Sequence, residues 1–476
     1  MNRPIRFVSV FAALMTFALL INLTYSAVFR QPGLNNDPHN TRVRDAEYSQ
    51  NRGDILVGST AVARTTATDG HFKYLRTYPQ GAEYAPITGY YSYYFGRTAL
   101  EYSQNAQLTG NSDSQFLQRV TGTLSGRKPQ GGSVITTVNA KAQNAAWNGL
   151  AGKKGGVVAI DYTTGAILAM ATSPSYNPNQ LASHDLPATQ QAWKSLNTNP
   201  NQPMSNRASK EIYPPGSTFK LVTAAAALES GRYTPDGQVS TPSSIVLPQT
   251  TNRLGNEIDC GNSTVSLTKA LENSCNTAFA KIGMSLGQDK LREQAKKFGF
   301  DNTFDSDVPM AASRFPGDMN EAQVALSSIG QYDVAASPLQ MAMVASAIAN
   351  DGKLMTPYLT QSVRASNLQT VWKHHNTSLS QATSRSTAQD LQKMMVSVVQ
   401  NGTGKPAQID GVTVGGKTGT AQTTKNASPY AWFVGFSENP HVAVAVFIES
   451  SNTDRSEIAG GTLAGPIAKA VIEAMR

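Results

Sequence analysis

The chain has 476 residues, of which 40% are hydrophobic and 15% are charged, a composition that is ordinary for a globular protein with a sizeable core. Its length allows about two or three domains. The formal net charge of +8 is modest and no run of five like charges occurs, so we predict no nucleic-acid partner.

The N-terminal segment indicates the cellular compartment. Residues 7–29 contain no charged residue, and as a helix they would extend about 34 Å, enough to cross a bilayer. Because Arg3 and Arg6 precede this stretch, we predict a cytoplasmic N-terminus and an extracytoplasmic remainder. The alternative is a cleaved signal peptide, but its apolar region would be shorter, and Tyr25 interrupts the small residues of a cleavage site. We predict an uncleaved single-pass anchor.

The segment that follows the anchor lacks a sustained helical period. Residues 30–45 are polar and rich in Pro, Gly and Asn, which predicts a linker. Residues 46–130 contain short β-like pieces, which predict a small irregular domain. The aromatic stretch 84–102 is interpreted as a packing surface.

In the region from residue 131 onward, strand patterns occur at both ends and helical patterns occur between them. Residues 155–173 and 431–450 each read as two apolar runs around a turn, the pattern of a β-hairpin. The helical segments are predicted at 217–230, 266–286, 289–298, 338–350 and 387–400, with a last amphipathic helix at the C-terminus. Such an order predicts an α+β domain, an antiparallel sheet with helices on its faces.

Two cysteines, Cys260 and Cys275, are present. An extracytoplasmic setting permits a disulfide, worth about 3 kcal/mol for a loop of this size; buried free thiols are the alternative. We hypothesise a bond, because Cys275 lies between Ser274 and Asn276 and a bond would fix that loop. Neither cysteine has metal-ligand spacing to a histidine, so we predict no metal site.

Ser217 and Lys220 lie at the start of a predicted helix, three residues apart, so their side chains share one face. The free N–H groups of a helix start suit an oxyanion and disfavour a protonated lysine. A lysine that is desolvated or faces another cation has a lowered pKa and can act as the base for a serine nucleophile. The alternatives are a helix-capping serine and a lysine that reaches water. The same Ser-x-x-Lys pattern recurs at Ser266 and Lys269.

Two more short patterns follow in the sequence. Ser274-x-Asn276 alone would be a polar break between helices. Lys417-Thr418-Gly419 occurs once, in a glycine-rich stretch whose alternative interpretation is an ordinary strand with a bulge. This stretch lacks the strand–GxxxxGK–helix form, because no helical pattern follows it, so a phosphate-binding loop is a poor interpretation.

The order of the three motifs resembles that of the penicillin-recognising acyl-serine transferases. Residues 148–179, 212–231, 327–354 and 414–422 are similar to the transpeptidase domain of class B penicillin-binding proteins. Residues 51–56 and 96–110 are similar to that class more faintly, and the short N-terminal region most resembles penicillin-binding protein A of actinobacteria. The sequence departs from many relatives at Tyr332-Asp333 and at Cys275.

The resemblance implies three parts: a cytoplasmic stub and anchor at 1–29, a non-catalytic pedestal or dimerisation-type domain at 30–130, and a transpeptidase domain with the penicillin-binding/β-lactamase-like fold at 131–476. It implies a serine D,D-transpeptidase that cross-links peptidoglycan stem peptides, releases D-Ala and is acylated by β-lactams. No metal or organic cofactor is implied. The implied partners are the cell membrane, a RodA/FtsW-type glycosyltransferase and other wall-assembly proteins.

The resemblance also implies catalytic roles. Ser217 attacks the carbonyl of the penultimate D-Ala, and neutral Lys220 accepts its proton, with the pKa of Lys220 lowered by burial and by Lys417. Ser274 passes a proton to the departing amine. Asn276 holds the stem-peptide amide.

The remaining implied roles concern binding. Lys417, Thr418 and Thr420 bind the terminal carboxylate, and the donor peptide lies along the strand 414–421, where Gly419 is also substrate-binding. The backbone N–H groups of Ser217 and Thr420 form the oxyanion hole.

Two rival functions stay open at this point. A D,D-carboxypeptidase or β-lactamase would hydrolyse the acyl-enzyme instead of transferring it; the anchor and the additional residues before the domain favour a wall synthase. A penicillin-binding sensor or an assembly scaffold would need no turnover at all, and the intact motifs argue against a loss of chemistry.

Overall fold

The structure is a computed structural model that describes residues 3–30, 41–115, 130–261, 263–304, 307, 309–421, 428–451, 453 and 458–476. The chain separates into two compact units. The first comprises residues 1–51 and 66–75, and the second comprises residues 52–65 and 76–476.

The first unit is dominated by one apolar helix. Helix α1 (Arg3–Tyr25) continues into a π-helical turn (Ser26–Arg30), and over these 28 residues it is long and apolar enough to span a membrane. Every residue of α1 is exposed, as expected for a segment that faces lipid. Helix α2 (Thr41–Tyr48) includes residues 41–45, so the predicted linker 30–45 is wrong there; residues 31–40 lie outside the described residues.

The remaining α-helices follow in chain order. They are α3 (Ala85–Thr88), α4 (Ala99–Ser103), α5 (Asn105–Thr109), α6 (Ala140–Gly149), α7 (Asn179–Ala182), α8 (Leu186–Thr198), α9 (Lys220–Glu229), α10 (Leu267–Glu272), α11 (Asn276–Leu286), α12 (Gln288–Lys297), α13 (Glu321–Ser327), α14 (Pro338–Ala349), α15 (Arg385–Asn401) and α16 (Gly465–Glu473).

Most strands lie in the second unit, and β2 and β3 also include residues 66–67 and 74–75 of the first. They are β1 (Ile55–Val57), β2 (Thr60–Ala67), β3 (Tyr74–Thr77), β4 (Tyr91–Ser92), β5 (Gly96–Arg97), β6 (Ser133–Thr136), β7 (Lys153–Asp161), β8 (Ile167–Ser173), β9 (Gln238–Ser240), β10 (Ser244–Val246), β11 (Arg253–Gly255), β12 (Thr264–Ser266), β13 (Lys353–Met355), β14 (Thr360–Arg364), β15 (Thr370–Lys373), β16 (Ser378–Gln381), β17 (Val414–Ala421), β18 (Tyr430–Ser437) and β19 (Val442–Ser451).

A six-stranded sheet in the order β15-β14-β6-β1-β2-β3 joins distant parts of the sequence. Beside it, Glu101 is fully buried and pairs with Arg52 at 2.8 Å and with Arg76 at 2.6 Å. Burial alone would raise the pKa of Glu101, but the two guanidinium groups hold it below its ordinary value. Since the sheet contains strands from both sides of residue 130, the two domains predicted around that border share one sheet.

The second sheet is the centre of the predicted α+β domain. Its order is β17-β18-β19-β7-β8, and each strand runs antiparallel to its neighbours. Alternate side chains of its strands enter opposite cores, as the two-residue period of a strand requires. Val157 and Ala159 pack in one core, and Val158 and Ile160 pack in the other. The sheet is therefore covered on both faces, by α6 and α16 on one side and α14 on the other.

Most predicted elements of this domain are confirmed. The hairpins 155–173 and 431–450 are β7–β8 and β18–β19, and the predicted sheet with helices on its faces is present. Tyr84, Tyr90 and Tyr91 are buried, so this part of the aromatic stretch packs as interpreted, whereas Tyr94 and Tyr102 are exposed. The predicted helix 266–286 is wrong, because the chain breaks it into α10 and α11.

Candidate active site

Ser217 lies on a single turn of 3-10 helix (Gly216–Phe219) that leads directly into α9. The prediction of one α-helix from residue 217 is therefore correct only from Lys220 onward. The Ser217 side chain is 6% exposed and caps no helix end. Among the described residues it makes no hydrogen bond, which disfavours the capping alternative and leaves its hydroxyl free to react.

The turn that carries Ser217 packs against β17. Gly216 has φ +53°, and a Cβ there would lie 3.1 Å from Ala421 Cα and from Thr420 O. A Cβ on Gly419 would lie 3.0 Å from Pro215 O. Glycine at both positions thus allows the nucleophile turn to approach the strand closely.

Lys220 is completely buried at the first position of α9. Its Nζ atom lies 2.7 Å from Ser274 O, 2.7 Å from Asn276 Oδ1 and 3.2 Å from Ser274 Oγ. Burial, and then the charge of Lys417, lower the pKa of Lys220 well below its ordinary value, while Glu257 acts in the opposite direction.

The contacts of Lys220 suit an ammonium that donates to all three oxygens, and they also accommodate the uncharged amine that its lowered pKa favours. A neutral amine has two N–H donors and one lone pair, whereas an ammonium has three donors. The Ser274 carbonyl and Asn276 Oδ1 are acceptors and use two N–H groups. The hydroxyl of Ser274 can then donate to the remaining lone pair. A base in this form needs no prior loss of a proton.

Ser274 occupies the break between α10 and α11. Its φ is +58°, a left-handed conformation that is uncommon for a residue other than glycine. That conformation turns the chain so that the Ser274 carbonyl and hydroxyl both reach Lys220. Lys417 Nζ donates to the same hydroxyl at 2.9 Å, so Ser274 Oγ lies between the two lysines.

Lys417 lies on β17, the edge strand of the five-stranded sheet, and is fully buried. Burial lowers its pKa to about 7. Its amine also donates to Thr418 O at 2.9 Å, and Thr418 Oγ1 lies 2.6 Å from Thr403 Oγ1. Thr420 is half-buried on the same strand. Within the described part of the chain, no strand pairs with the outer edge of β17.

The second Ser-x-x-Lys pattern has only a structural role. Ser266 is the N-cap of α10 and accepts a hydrogen bond of 3.1 Å from Lys269 N. Lys269 forms an ion pair with Glu272 and is half-exposed. Of the two Ser-x-x-Lys patterns, only the one at Ser217 contacts the other motifs, through Lys220. The sequence alone could not decide between the two.

Cys260 and Cys275 are joined by a disulfide. The bond ties the segment before β12 to the residue between Ser274 and Asn276. The predicted pairing is therefore present, and free thiols are not found in the described residues.

The motifs open into a cavity of about 500 Å³ that the sequence did not reveal in full. It is lined by Ser217, Asn276 and Thr420, and also by Arg253, Leu254, Gly255, Asn256, Glu257, Leu326, Ile329, Gln331 and Tyr332. Glu257 was missed because nothing near it in sequence has a catalytic pattern. The cysteine pair was the one signal that places this segment beside Ser274. Among the described residues, no three His, Cys, Asp or Glu side chains group as metal ligands.

Two family models match the chain. The penicillin-binding protein transpeptidase domain matches residues 155–473, and the penicillin-binding protein A dimerisation domain matches residues 52–134. A curated relative, "Peptidoglycan D,D-transpeptidase PbpA" of Mycolicibacterium smegmatis, is 43% identical over 100% of this chain and 99% of its own length. The protein of the same name in Mycobacterium tuberculosis is 42% identical over the same shares.

Solved structures agree with these matches. Penicillin-binding protein A of M. tuberculosis in its ceftriaxone acyl-enzyme complex is 40% identical with a TM-score of 0.86, covering 90% of this chain and 99% of that chain. Its penicillin G acyl-enzyme complex is 41% identical with a TM-score of 0.84 over the same shares. The chain therefore belongs to the penicillin-binding protein transpeptidase family.

Proposed function

We propose that this chain is a serine D,D-transpeptidase that cross-links peptidoglycan stem peptides through an acyl-enzyme on Ser217 and is inhibited covalently by β-lactams. The observation that supports it most is the convergence of three distant motifs on Ser274 Oγ, which lies 3.2 Å from Lys220 Nζ and 2.9 Å from Lys417 Nζ. The relatives named as D,D-transpeptidases extend over the full chain.

Acylation begins at Ser217. Its oxygen forms a bond to the carbonyl carbon of the penultimate D-Ala, and its proton passes to the lone pair of Lys220. Because burial and Lys417 hold the pKa of Lys220 well below its ordinary value, its uncharged form is more available for this transfer than that of an ordinary lysine. Lys220 reaches Ser217 when the Ser274 hydroxyl turns away from the lone pair, a small adjustment of the kind that substrate binding produces.

The developing oxyanion needs backbone donors. We assign this role to the N–H groups of Ser217, on the 3-10 turn, and of Thr420, on β17; the close approach of the turn to the strand at Gly216 and Gly419 supports the assignment. Each such donor contributes about 3–4 kcal/mol in comparable sites.

The donor peptide binds as an added strand on the outer edge of β17. Its terminal carboxylate is held by Lys417, Thr418 and Thr420. Asn276 uses one Nδ2 proton for Gly255 O, at 3.1 Å, and has a second one for the carbonyl of the stem-peptide amide.

Release of D-Ala requires a proton on the departing amine. Ser274 Oγ can donate its own proton and recover one from Lys220, which received it from Ser217. The C–N bond of the donor breaks, D-Ala leaves as the neutral amine, and the ester to Ser217 remains. An amine of a second stem then attacks this ester.

We further propose that α1 anchors the chain with the N-terminus in the cytoplasm and the catalytic unit outside. The boundaries 1–29, 30–130 and 131–476 belong to this proposal, as does a RodA/FtsW-type glycosyltransferase that contacts α1 and the membrane-proximal domain. A protease added to intact cells should remove the catalytic unit and leave the N-terminus protected; the reverse pattern would contradict the orientation.

The experiment that tests the function uses the full chain in detergent with two synthetic stem peptides. One carries D-Ala-D-Ala as donor, and the other lacks it but carries the acceptor amine. Mass spectrometry should show equimolar D-Ala and cross-linked product, and Ser217→Ala should abolish both. Release of D-Ala with hydrolysed donor and no cross-link would support a carboxypeptidase instead.

A further inference from the structure

The loop 255–260 at the mouth of the cavity is held at both ends. At its start, Asn276 Nδ2 donates to Gly255 O at 3.1 Å, and Thr277 N donates to Asn256 Oδ1 at 3.0 Å. At its end, the disulfide joins it to the residue that precedes Asn276. The loop is thus fastened to the start of α11 beside the catalytic motifs.

Glu257 lies in the middle of this fastened loop. It is exposed and lines the same cavity as Ser217 and Thr420. Its carboxylate makes no hydrogen bond or ion pair with a residue that the structure describes, and its charge raises the pKa of both Lys220 and Lys417. Glu257 therefore projects negative potential into the site.

The second half of the reaction brings a cation to this site. An alkyl amine is protonated at neutral pH, with an ordinary pKa of about 10.4. The described residues that line the cavity include one other charged side chain, Arg253, which donates to Ser244 Oγ at 2.9 Å. Since the amine of Lys417 binds Ser274, two residues before the cavity-lining Asn276, an entering ammonium would meet repulsion unless a carboxylate compensated it.

We infer that Glu257 binds the ammonium group of the acceptor and so selects alkyl amines as acceptors of the acyl group. This rests on the proposed transpeptidase function. The bound ammonium loses one proton to water, and its nitrogen forms a bond to the acyl carbon. The ester bond to Ser217 breaks, and the second amine proton passes through Lys220 to the Ser217 oxygen.

The test uses the full chain with a thioester analogue of the donor and two acceptors. Nα-acetyl-lysine carries a cationic amine, and methoxyamine is uncharged at neutral pH. In Glu257→Gln, the ratio of the KM for Nα-acetyl-lysine to the KM for methoxyamine should rise about five-fold, the factor expected for one exposed ion pair. The same ratio in the unaltered chain should rise with added salt, because salt screens exposed charges.

Asp259→Asn is the matched control. Asp259 is also exposed on this loop but does not line the cavity, and an asparagine keeps the oxygen that accepts from Gly261 N at 2.9 Å. Its KM ratio should equal that of the unaltered chain.

Three results would overturn the inference. In all three the KM ratio of Glu257→Gln stays that of the unaltered chain: both KM values are unchanged, both rise by the same factor, or the acyl-enzyme is hydrolysed more slowly. The last result would make Glu257 a base for water. A failure of the proposed function has a different signature, namely that the unaltered chain transfers the acyl group to neither amine.

Discussion

Lys417 Nζ donates a hydrogen bond of 2.9 Å to Ser274 Oγ, which connects the edge of the five-stranded sheet to the break between α10 and α11. Ser274 continues the connection to Lys220 at 3.2 Å. Protons can therefore move between the two lysines through one hydroxyl. This arrangement explains why the serine adopts a left-handed conformation, which costs on the order of 1 kcal/mol or more.

Ser274→Ala removes the hydroxyl and should interrupt this path. We expect the rate of D-Ala release to fall by about 10²–10⁴, the usual contribution of a positioned proton donor. β-Lactam acylation should fall less than peptide turnover if the strained lactam nitrogen is protonated by water. Stopped-flow acylation and D-Ala release measured on the same preparation check this, and equal losses in both reactions would contradict it.

The pH profile of penicillin acylation should show the ionisation of Lys417. Its ammonium is needed to hold the carboxylate of the drug, and its pKa is about 7. The second-order acylation rate should therefore fall on the alkaline side of pH 7. In Lys417→Arg the cation persists at every accessible pH, so the alkaline limb should vanish even though the rate is lower. If the alkaline limb persisted in Lys417→Arg, the ionisation that causes it would belong to a group other than Lys417.

Stability should respond to the same ionisation. The unfolded lysine has a pKa of about 10.4, whereas Lys417 in the folded chain has a pKa of about 7. Between these values the unfolded state binds more protons, so the free energy of unfolding rises with pH by about 1.4 kcal/mol per unit.

The Lys417→Met variant lacks the pH-dependent contribution of this lysine to the free energy of unfolding. The difference in unfolding free energy, unaltered chain minus Lys417→Met, should grow as pH increases from 7 to 10, as measured by denaturant titration at each pH. A difference that is constant or shrinks over this window would show that Lys417 is not neutralised by folding.

Gly216→Ala tests the close approach of the nucleophile turn to β17. The added Cβ would meet Ala421 Cα and Thr420 O at 3.1 Å, and the residue would keep φ +53°. We expect a loss of about 1–2 kcal/mol from the backbone conformation alone, and at least a ten-fold fall in acylation because Ser217 moves.

Gly231→Ala is the control for this substitution. Gly231 follows α9, has φ +68° and has no atom within 4 Å of an added Cβ. It should lose similar stability and retain acylation. A parallel loss of acylation in both variants would mean that strain, and not the contact with β17, is responsible.

The sequence predicted those parts of the site that depend on local pattern. The helix that begins at Lys220 follows from its apolar period, and the two hairpins of the sheet follow from alternation and turn residues, although Ser217 lies on a 3-10 turn before that helix. The family resemblance of the three motifs then predicted that they meet in one site. Their spacing alone could not predict this, because 143 residues separate Ser274 from Lys417.

The errors have a common physical origin in tertiary contacts. The apolar period of 266–286 predicts one helix, yet Ser274 breaks it because its hydroxyl and carbonyl bind Lys220. Glu257 stands on a polar loop without any pattern, and it enters the cleft only because the neighbouring loop residues bind the start of α11. Such contacts are not encoded in local propensity.

The most direct measurement is the identification of the residue that a β-lactam acylates. The full chain in detergent would be labelled with a fluorescent penicillin, digested and analysed by tandem mass spectrometry. We predict the adduct on Ser217, with no labelling in Ser217→Ala and normal labelling in Ser266→Ala, since Ser266 caps α10. An adduct on Ser266, or on any side chain other than Ser217, would contradict the proposal that a buried, uncharged Lys220 activates this serine.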